Sequence, residues 1–150
     1  MPGARSLEMP AWECHQLLRE HSVGRVCVVT AGHPVAFPIS YCVAGEAGST
    51  TPSLLMRTRP DGLIAQALGP ASLEIDHIDA VQGTAWSVIV RGTLVPIHDR
   101  AGLPVPQPWL RDDRHAWLAI EPQVVSGRRF VAIGDDDTFA VDWEAVSGGG

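Results

Sequence analysis

The chain contains no lysine and no asparagine, and every one of its 11 basic residues is arginine. Without a lysine amine no side chain can form a Schiff base, which excludes lysine-dependent pyridoxal-phosphate and class I aldolase chemistry. A standard Walker A loop is excluded for the same reason. Codon bias towards Arg, Ala, Gly and Pro is the ordinary cause of such a composition. Cysteine is scarce: Cys14, Cys27 and Cys42 are widely spaced and odd in number, with no CxxC. That argues against a disulfide framework, and with no apolar signal segment at the start a reducing cytoplasm is expected. No apolar run approaches the roughly 18 residues that a membrane span needs. A net charge of −6 makes wrapping of a nucleic-acid backbone an unsuitable role. The six His show no ligand spacing of the HExxH kind, so no metal site is expected. Ser87 has no G-x-S-x-G elbow around it, and the three Cys fall on an apolar helix face or within strands, where thiols usually pack.

What is present suits one soluble globular domain. The 150 residues are 45% apolar and 19% charged. A domain of this size buries about 68–70% of its unfolded surface. The charge is uneven. Residues 135–150 hold Asp135, Asp136, Asp137, Asp142 and Glu144 with no Arg, so the remaining body is close to neutral. The natural division is a domain over 1–133 and an acidic tail over 134–150, ending in a Gly-Gly-Gly expected to be disordered.

The hydrophobic periods order the elements. Pro10 to His21 reads as a helix, with Cys14, Leu17, Leu18 and His21 on one face and Gly24 placed as a left-handed cap beyond it. Strands are expected at 25–30, 35–43, 53–58, 71–78, 85–97 and 115–121, with a last one over 124–133 interrupted at Gly127. Pro38 marks its strand as an edge or a bulge, because it cannot donate to a ladder. A loop covers 45–52, a short helix 60–68, and 100–113 shows turns without a clear period. The expected class is α+β, mainly β, with antiparallel strands closing into a barrel flanked by short helices.

The segment Leu54-Leu55-Met56-Arg57-Thr58-Arg59-Pro60-Asp61-Gly62 carries the strongest chemical signal. An apolar strand delivers an Arg and a Thr where a helix opens. Guanidinium, hydroxyl and free N–H groups together suit a phosphate. An ordinary strand-to-helix turn with a solvated Arg is the competing reading. Phe37-Pro38-Ile39-Ser40-Tyr41, a strand broken by Pro, frees backbone groups for a ligand. Trp86 and Ser87 open another strand, where Trp86 could equally be core.

In order, Glu13-Cys14…Leu17-Leu18, Val23-Gly24-Arg25-Val26, Pro38-Ile39-Ser40-Tyr41, Met56-Arg57-Thr58, Leu73-Glu74-Ile75-Asp76, Trp86 to Gly92, Pro108-Trp109 and Ser126-Gly127-Arg128-Arg129 resemble the pyridoxamine 5′-phosphate oxidase-like family of flavin-binding split barrels. The resemblance implies a six-stranded barrel, a homodimer, and FMN held in the dimer interface of an oxidoreductase whose substrate is unassigned. Carried over, Arg57 and Thr58 would grip the phosphate. Pro38, Ile39 and Ser40 would line the ring with Met56 beside them, and Trp86 and Ser87 would reach the flavin edge across the dimer. Three departures stand out. Leu63 falls where a phosphate-side Lys is usual, Ser40 replaces an Asn, and the 45–52 loop looks long. Arg59 could supply the missing charge. The alternatives are a non-catalytic barrel dimer that binds a flavin, a deazaflavin, a haem-like group or nothing, and a plain dimerising module.

Overall fold

The computed structural model describes residues 4–45, 52–107 and 115–132. Pro108-Trp109, most of the 45–52 loop and the acidic tail lie outside the described residues. The elements are β1 (Ala4–Glu8), α1 (Ala11–Glu20), β2 (Val23–Thr30), β3 (His33–Ala44), β4 (Ser53–Thr58), α2 (Leu63–Gln66), β5 (Gly69–Asp79), β6 (Thr84–Pro96) and β7 (Ala116–Ala132). The strand order is β1-β7-β4-β3-β2-β5-β6, and β6 returns to pair with β7. All pairings are antiparallel. Six strands thus close into the expected ring, while β1 makes the sheet seven-stranded by pairing with the C-terminal part of β7, Glu8 opposite Arg128. No amphipathic alternation announces β1, because Leu7 is the only large apolar side chain in its ARSLE sequence.

Alternation builds the interior. Val26 and Val28 of β2, Ile39 and Tyr41 of β3, Leu54 and Met56 of β4, Leu73 and Ile75 of β5, Val88, Val90 and Leu94 of β6, and Leu118 and Ile120 of β7 form one buried cluster. The two strands expected at 115–121 and 124–133 are one, β7. Its ladder with β6 shifts register between Arg91 and Gly92, passing from Val124 to Pro122 and leaving Gln123 as the extra residue of a bulge. Pro122 sits opposite Gly92, where a built Cβ would lie 2.0 Å from the Glu121 carbonyl oxygen. The bulge therefore absorbs a residue that cannot donate, which the sequence alone made look like a break.

Helix α1 closes one end of the barrel. Pro10 is its N-cap, and Cys14 and Leu18 are buried. The Tyr41 hydroxyl, also buried, donates to the Leu18 carbonyl at 2.7 Å. Arg129 of β7 pairs with Glu13. Gly24 is not the helix cap expected. His21 takes that place in an extended conformation, and Gly24 is a buried residue of β2 where a Cβ would meet the Glu74 carbonyl oxygen at 2.7 Å. Its small size admits β5. Helix α2 is four residues, shorter than the expected 60–68, because Arg59 to Gly62 is a turn closed by Gly62 N–H to the Arg59 carbonyl.

Two joints of the ring are thin, β3–β4 and β2–β5, each with four residue pairs. Only Tyr41 to Ala44 pair with β4, whereas His33 to Ser40 pair with β2 alone. Pro34 and Pro38 both lie in that singly paired stretch, as the edge reading of Pro38 requires. Outside the ring, Ala44, Leu55 and Ala119 form a second apolar cluster covered by Ile97 and Leu103 of the chain that follows β6.

Candidate functional site

Alternation also decides which residues of the motif segments can meet a ligand. On β4, Leu54, Met56 and Thr58 face inwards and Leu55 and Arg57 outwards. On β3, Ile39 and Tyr41 face inwards and Pro38, Ser40 and Cys42 outwards. Ser40 and Arg57 are the next positions beyond the Tyr41–Met56 pair, so they share one outer face at the mouth of the seam. Pro38 lies two residues further along the open edge of β3. It also lines a shallow cleft of about 220 Å³ with Gly24, Arg25 and Asp76. Ile39, Met56 and Thr58 are buried at 5%, 0% and 6% exposure, so their side chains belong to the wall behind this face.

Arg57 is half-buried, with its guanidinium carbon 5.7 Å from the centre of the Trp117 ring. Trp117 is its partner across the β4–β7 ladder. A second guanidinium, from Arg100, stands 5.3 Å from the same ring. Neither Trp117 nor Arg100 stood out in the sequence, since Trp117 lies in an apolar strand and Arg100 in a stretch without period. Arg59 does not join them among the described contacts. It forms a two-point pair with Asp61, at 3.1 Å for each bond, with both side chains largely in solvent. That pair holds the Asp61 carboxyl below its ordinary range. Leu63 is 52% exposed, an apolar side chain where the resemblance would place a Lys.

The remaining two residues lie elsewhere. Trp86 is partly buried against the core and meets His21 edge-on, ring centres 5.0 Å apart. Ser87 faces outwards into a groove of about 350 Å³ over β5, β6 and β7, lined by Glu74, Asp76, Trp86, Ile89 and Arg128 among others. Arg25 bonds Glu74 and Asp76 at 3.0 and 3.1 Å. Burial, and then the neighbouring Asp76, still push the Glu74 carboxyl up against the pull of Arg25. Trp86 is paired with Arg129, and Trp117 precedes Arg129 by twelve residues on β7. At about 3.3 Å per residue that is roughly 40 Å of strand. Across the sheet the route is shorter: Pro38 is paired with Arg25, Arg25 bonds Asp76, and Asp76 is paired with Ser87, while Trp86 meets His21 beside the Ser22 carbonyl that accepts from Tyr41 N–H.

The chemistry of the donor set fits a phosphorylated planar ligand in part. The seam offers a cation, a hydroxyl, an unladdered strand edge and an aromatic surface, and it lacks the usual amine. The outward thiol, Cys42, is pushed up by burial and stays protonated at neutral pH. Among the described residues no group of three or more His, Cys, Asp or Glu is placed to hold a metal ion, and no helix is long and apolar enough to cross a membrane.

A closed six-strand ring, thinly paired between β3 and β4 and between β2 and β5, with a helix across one end, defines the chain as a split β-barrel. Residues 10–129 match the pyridoxamine 5′-phosphate oxidase family model, and the chain belongs to that family. An uncharacterized Mycobacterium tuberculosis protein, Rv0080, is 29% identical over 136 residues, covering 84% of this chain and 86% of its own. The structure of an FAD-binding protein from Mycobacterium smegmatis is 26% identical, with a TM-score of 0.65, over 84% of this chain and 99% of that one. An FAD-binding protein from Mesorhizobium loti shares the fold at 23% identity and a TM-score of 0.63, over 85% and 98%.

Proposed function

We propose that this chain binds FMN as a homodimer and serves as a flavin-dependent oxidoreductase. The observation that carries the reading is the seam itself. An Arg and a Ser point outwards side by side, next to the stretch of β3 that pairs on one side only. A bound flavin would supply the hydride chemistry, and the protein's part is to bind, orient and tune it. Arg57 would neutralise the phosphate. Backbone groups of Pro38 to Ser40 and the Ser40 hydroxyl would hydrogen-bond the polar edge of the ring, with Ile39, Met56 and Thr58 as the rigid wall behind. The relative that binds FAD at 26% identity supports a flavin ligand.

In the homodimer of this reading, a second copy would bring its Trp86 and Ser87 to the flavin edge across the interface. The 350 Å³ groove beside Ser87, with Ile78 and Ile89 exposed around it, offers that copy an apolar surface. A second reading, a flavin carrier without turnover, draws on one fact. Among the described residues, the outward positions of β3 and β4 hold no His, Asp or Glu that could move a proton. Location in the cytoplasm belongs to the proposal and follows from the cysteine pattern.

Purification tests the reading. The expected protein is yellow, or takes up added FMN with a rise in melting temperature, and has twice the monomer mass by light scattering at micromolar concentration. A colourless monomer that FMN neither binds nor stabilises overturns it. Turnover with NAD(P)H or a reduced deazaflavin then separates enzyme from carrier.

A further inference from the structure

His33 to Ser40 of β3 pair with β2 and have no strand on their other side. An open edge of that length is a template for a strand from another molecule. We infer that Pro34 and Pro38 guard this edge: they remove half of its outward N–H donors and so keep β3 of a second copy from adding to it. The inference concerns strand addition and is independent of which small ligand the seam takes.

The direction of each amide decides what the edge can donate. Along a strand, the N–H and C=O of one residue point to one side and those of the next residue to the other. Tyr41 N–H bonds the Ser22 carbonyl at 2.8 Å, so Tyr41 faces β2. Counting back by two, Ile39, Phe37, Val35 and His33 face β2 as well. The other end of the hairpin agrees. Ala31 and Gly32, with φ of 49° and 77°, form the two-residue turn that closes on a hydrogen-bonded pair, here Thr30 and His33. The open side is left to Pro34, Ala36, Pro38 and Ser40. Proline has no N–H, so only Ala36 and Ser40 can donate there. An added antiparallel strand needs a donor at every second residue, roughly 6.6 Å apart, whereas these two amides are separated by about 13 Å of strand.

No other guard is present on β3. Its sequence, HPVAFPISYCVA, holds no Arg, Asp or Glu, and the chain has no Lys. Charged side chains, Lys above all, are the usual means of blunting an edge. β1 uses that means: among the described residues it pairs with β7 alone, and its ARSLE sequence carries Arg5 and Glu8. Without its prolines, β3 would be an uncharged, β-branched and aromatic segment of the kind that pairs edge to edge. Pro34, Ala36 and Pro38 are exposed, so an incoming strand can reach them.

Amide hydrogen exchange of the wild type and light scattering of variants test the guard. In the wild type, Ala36 N–H should exchange within about tenfold of its rate in an unfolded chain, and Phe37 and Ile39 N–H at least roughly a hundredfold more slowly. Replacing both prolines (Pro34→Val with Pro38→Val) should raise the mass to about twice that of the wild type or more as concentration rises, and should slow exchange at Ala36. The pair Pro34→Ala with Pro38→Ala, which restores the donors with less apolar surface, should associate too. Pro104→Val, at an exposed loop position, should keep the wild-type mass. Equal protection of Ala36 and Phe37 in the wild type overturns the inference, because the edge is then already covered. So does a double Val variant that folds, by near-ultraviolet circular dichroism, and keeps the wild-type mass. Association of the Val pair without the Ala pair also overturns it, by tracing the effect to surface hydrophobicity. If the double variants do not fold, Pro38→Val and Pro38→Ala alone are read in the same way.

Discussion

The β5–β6–β7 wall and the β3–β4 seam are built from the same kinds of residue and paired in opposite ways. Thirteen residue pairs join β6 to β7 and eleven join β5 to β6, against four between β3 and β4. In the wall, Thr84 to Leu94 of β6 have a neighbouring strand on both sides, so that strand supplies rigidity and offers ligands only side chains. In the seam, eight residues of β3 keep one edge without a strand, and their backbone groups must find partners outside the ladder. Single-sided backbone also occurs at 75–79 of β5 and 121–127 of β7, so what sets the seam apart is Arg57 and Ser40 beside its open edge.

This contrast can be broken from the wall first. Gly92→Ala pushes a Cβ to 2.0 Å from the Glu121 oxygen and 2.8 Å from its carbonyl carbon, both backbone atoms. The expected loss is about 3 kcal/mol or more, which corresponds to a fall of roughly 10 °C in melting temperature. Urea unfolding measures it. A change below about 1 kcal/mol would show that the wall gives way at its bulge and is less rigid than its pairing suggests.

Arg57→Ala should do the reverse. Removing one charged donor from the seam should weaken FMN binding by roughly ten- to a hundredfold. Unchanged affinity would place the phosphate elsewhere.

Tyr41 ties the seam to the helix that closes the barrel, since its hydroxyl donates from β3 to the Leu18 carbonyl of α1. Tyr41→Phe should cost about 1 kcal/mol at neutral pH. Burial raises the folded-state pKa of this phenol well above its ordinary value. Its contribution is therefore complete below the unfolded phenol pKa, near 10, and falls as pH climbs above that value because only the unfolded chain ionises. Tyr41 is the sole tyrosine, so phenolate absorbance reports it alone. The wild type should show phenolate only on unfolding, and a simple titration near pH 10 in folded protein would contradict the buried placement. The smallest expected effect is Leu63→Lys, which should tighten FMN binding by up to about tenfold through one added cation and leave riboflavin unaffected. No gain would mean that position 63 does not face the phosphate or that Arg59 already fills the role.

Much of this was legible in the sequence. The strands expected at 25–30, 53–58, 71–78 and 85–97 lie within or along β2, β4, β5 and β6, and Pro38 marked an open edge. Legibility stopped where tertiary pairing overrides local pattern. β1 exists because β7 offers it an edge. β7 reads as two strands because the partner that accommodates Pro122, the side-chain-free Gly92, is 30 residues away in sequence. Gly24 has the composition of a helix cap and serves strand packing. In the candidate site, Arg57 and Ser40 were visible because strand parity fixes their direction. The same parity turns Ile39, Met56 and Thr58 inwards. Trp117 and Arg100 were invisible because their proximity depends on how the chain after β6 folds over the outer cluster.

The unbroken course of β7 sets a gauge. Trp117 stands near its start and Arg129 near its end, and the strand between them is held by β6 along its whole length. No loop lies on this path, so insertions or deletions in the turns and connections of the chain leave that spacing untouched. Changes in the turns at 31–32 and 80–83 therefore leave the interval between the two ends of β7 as it is.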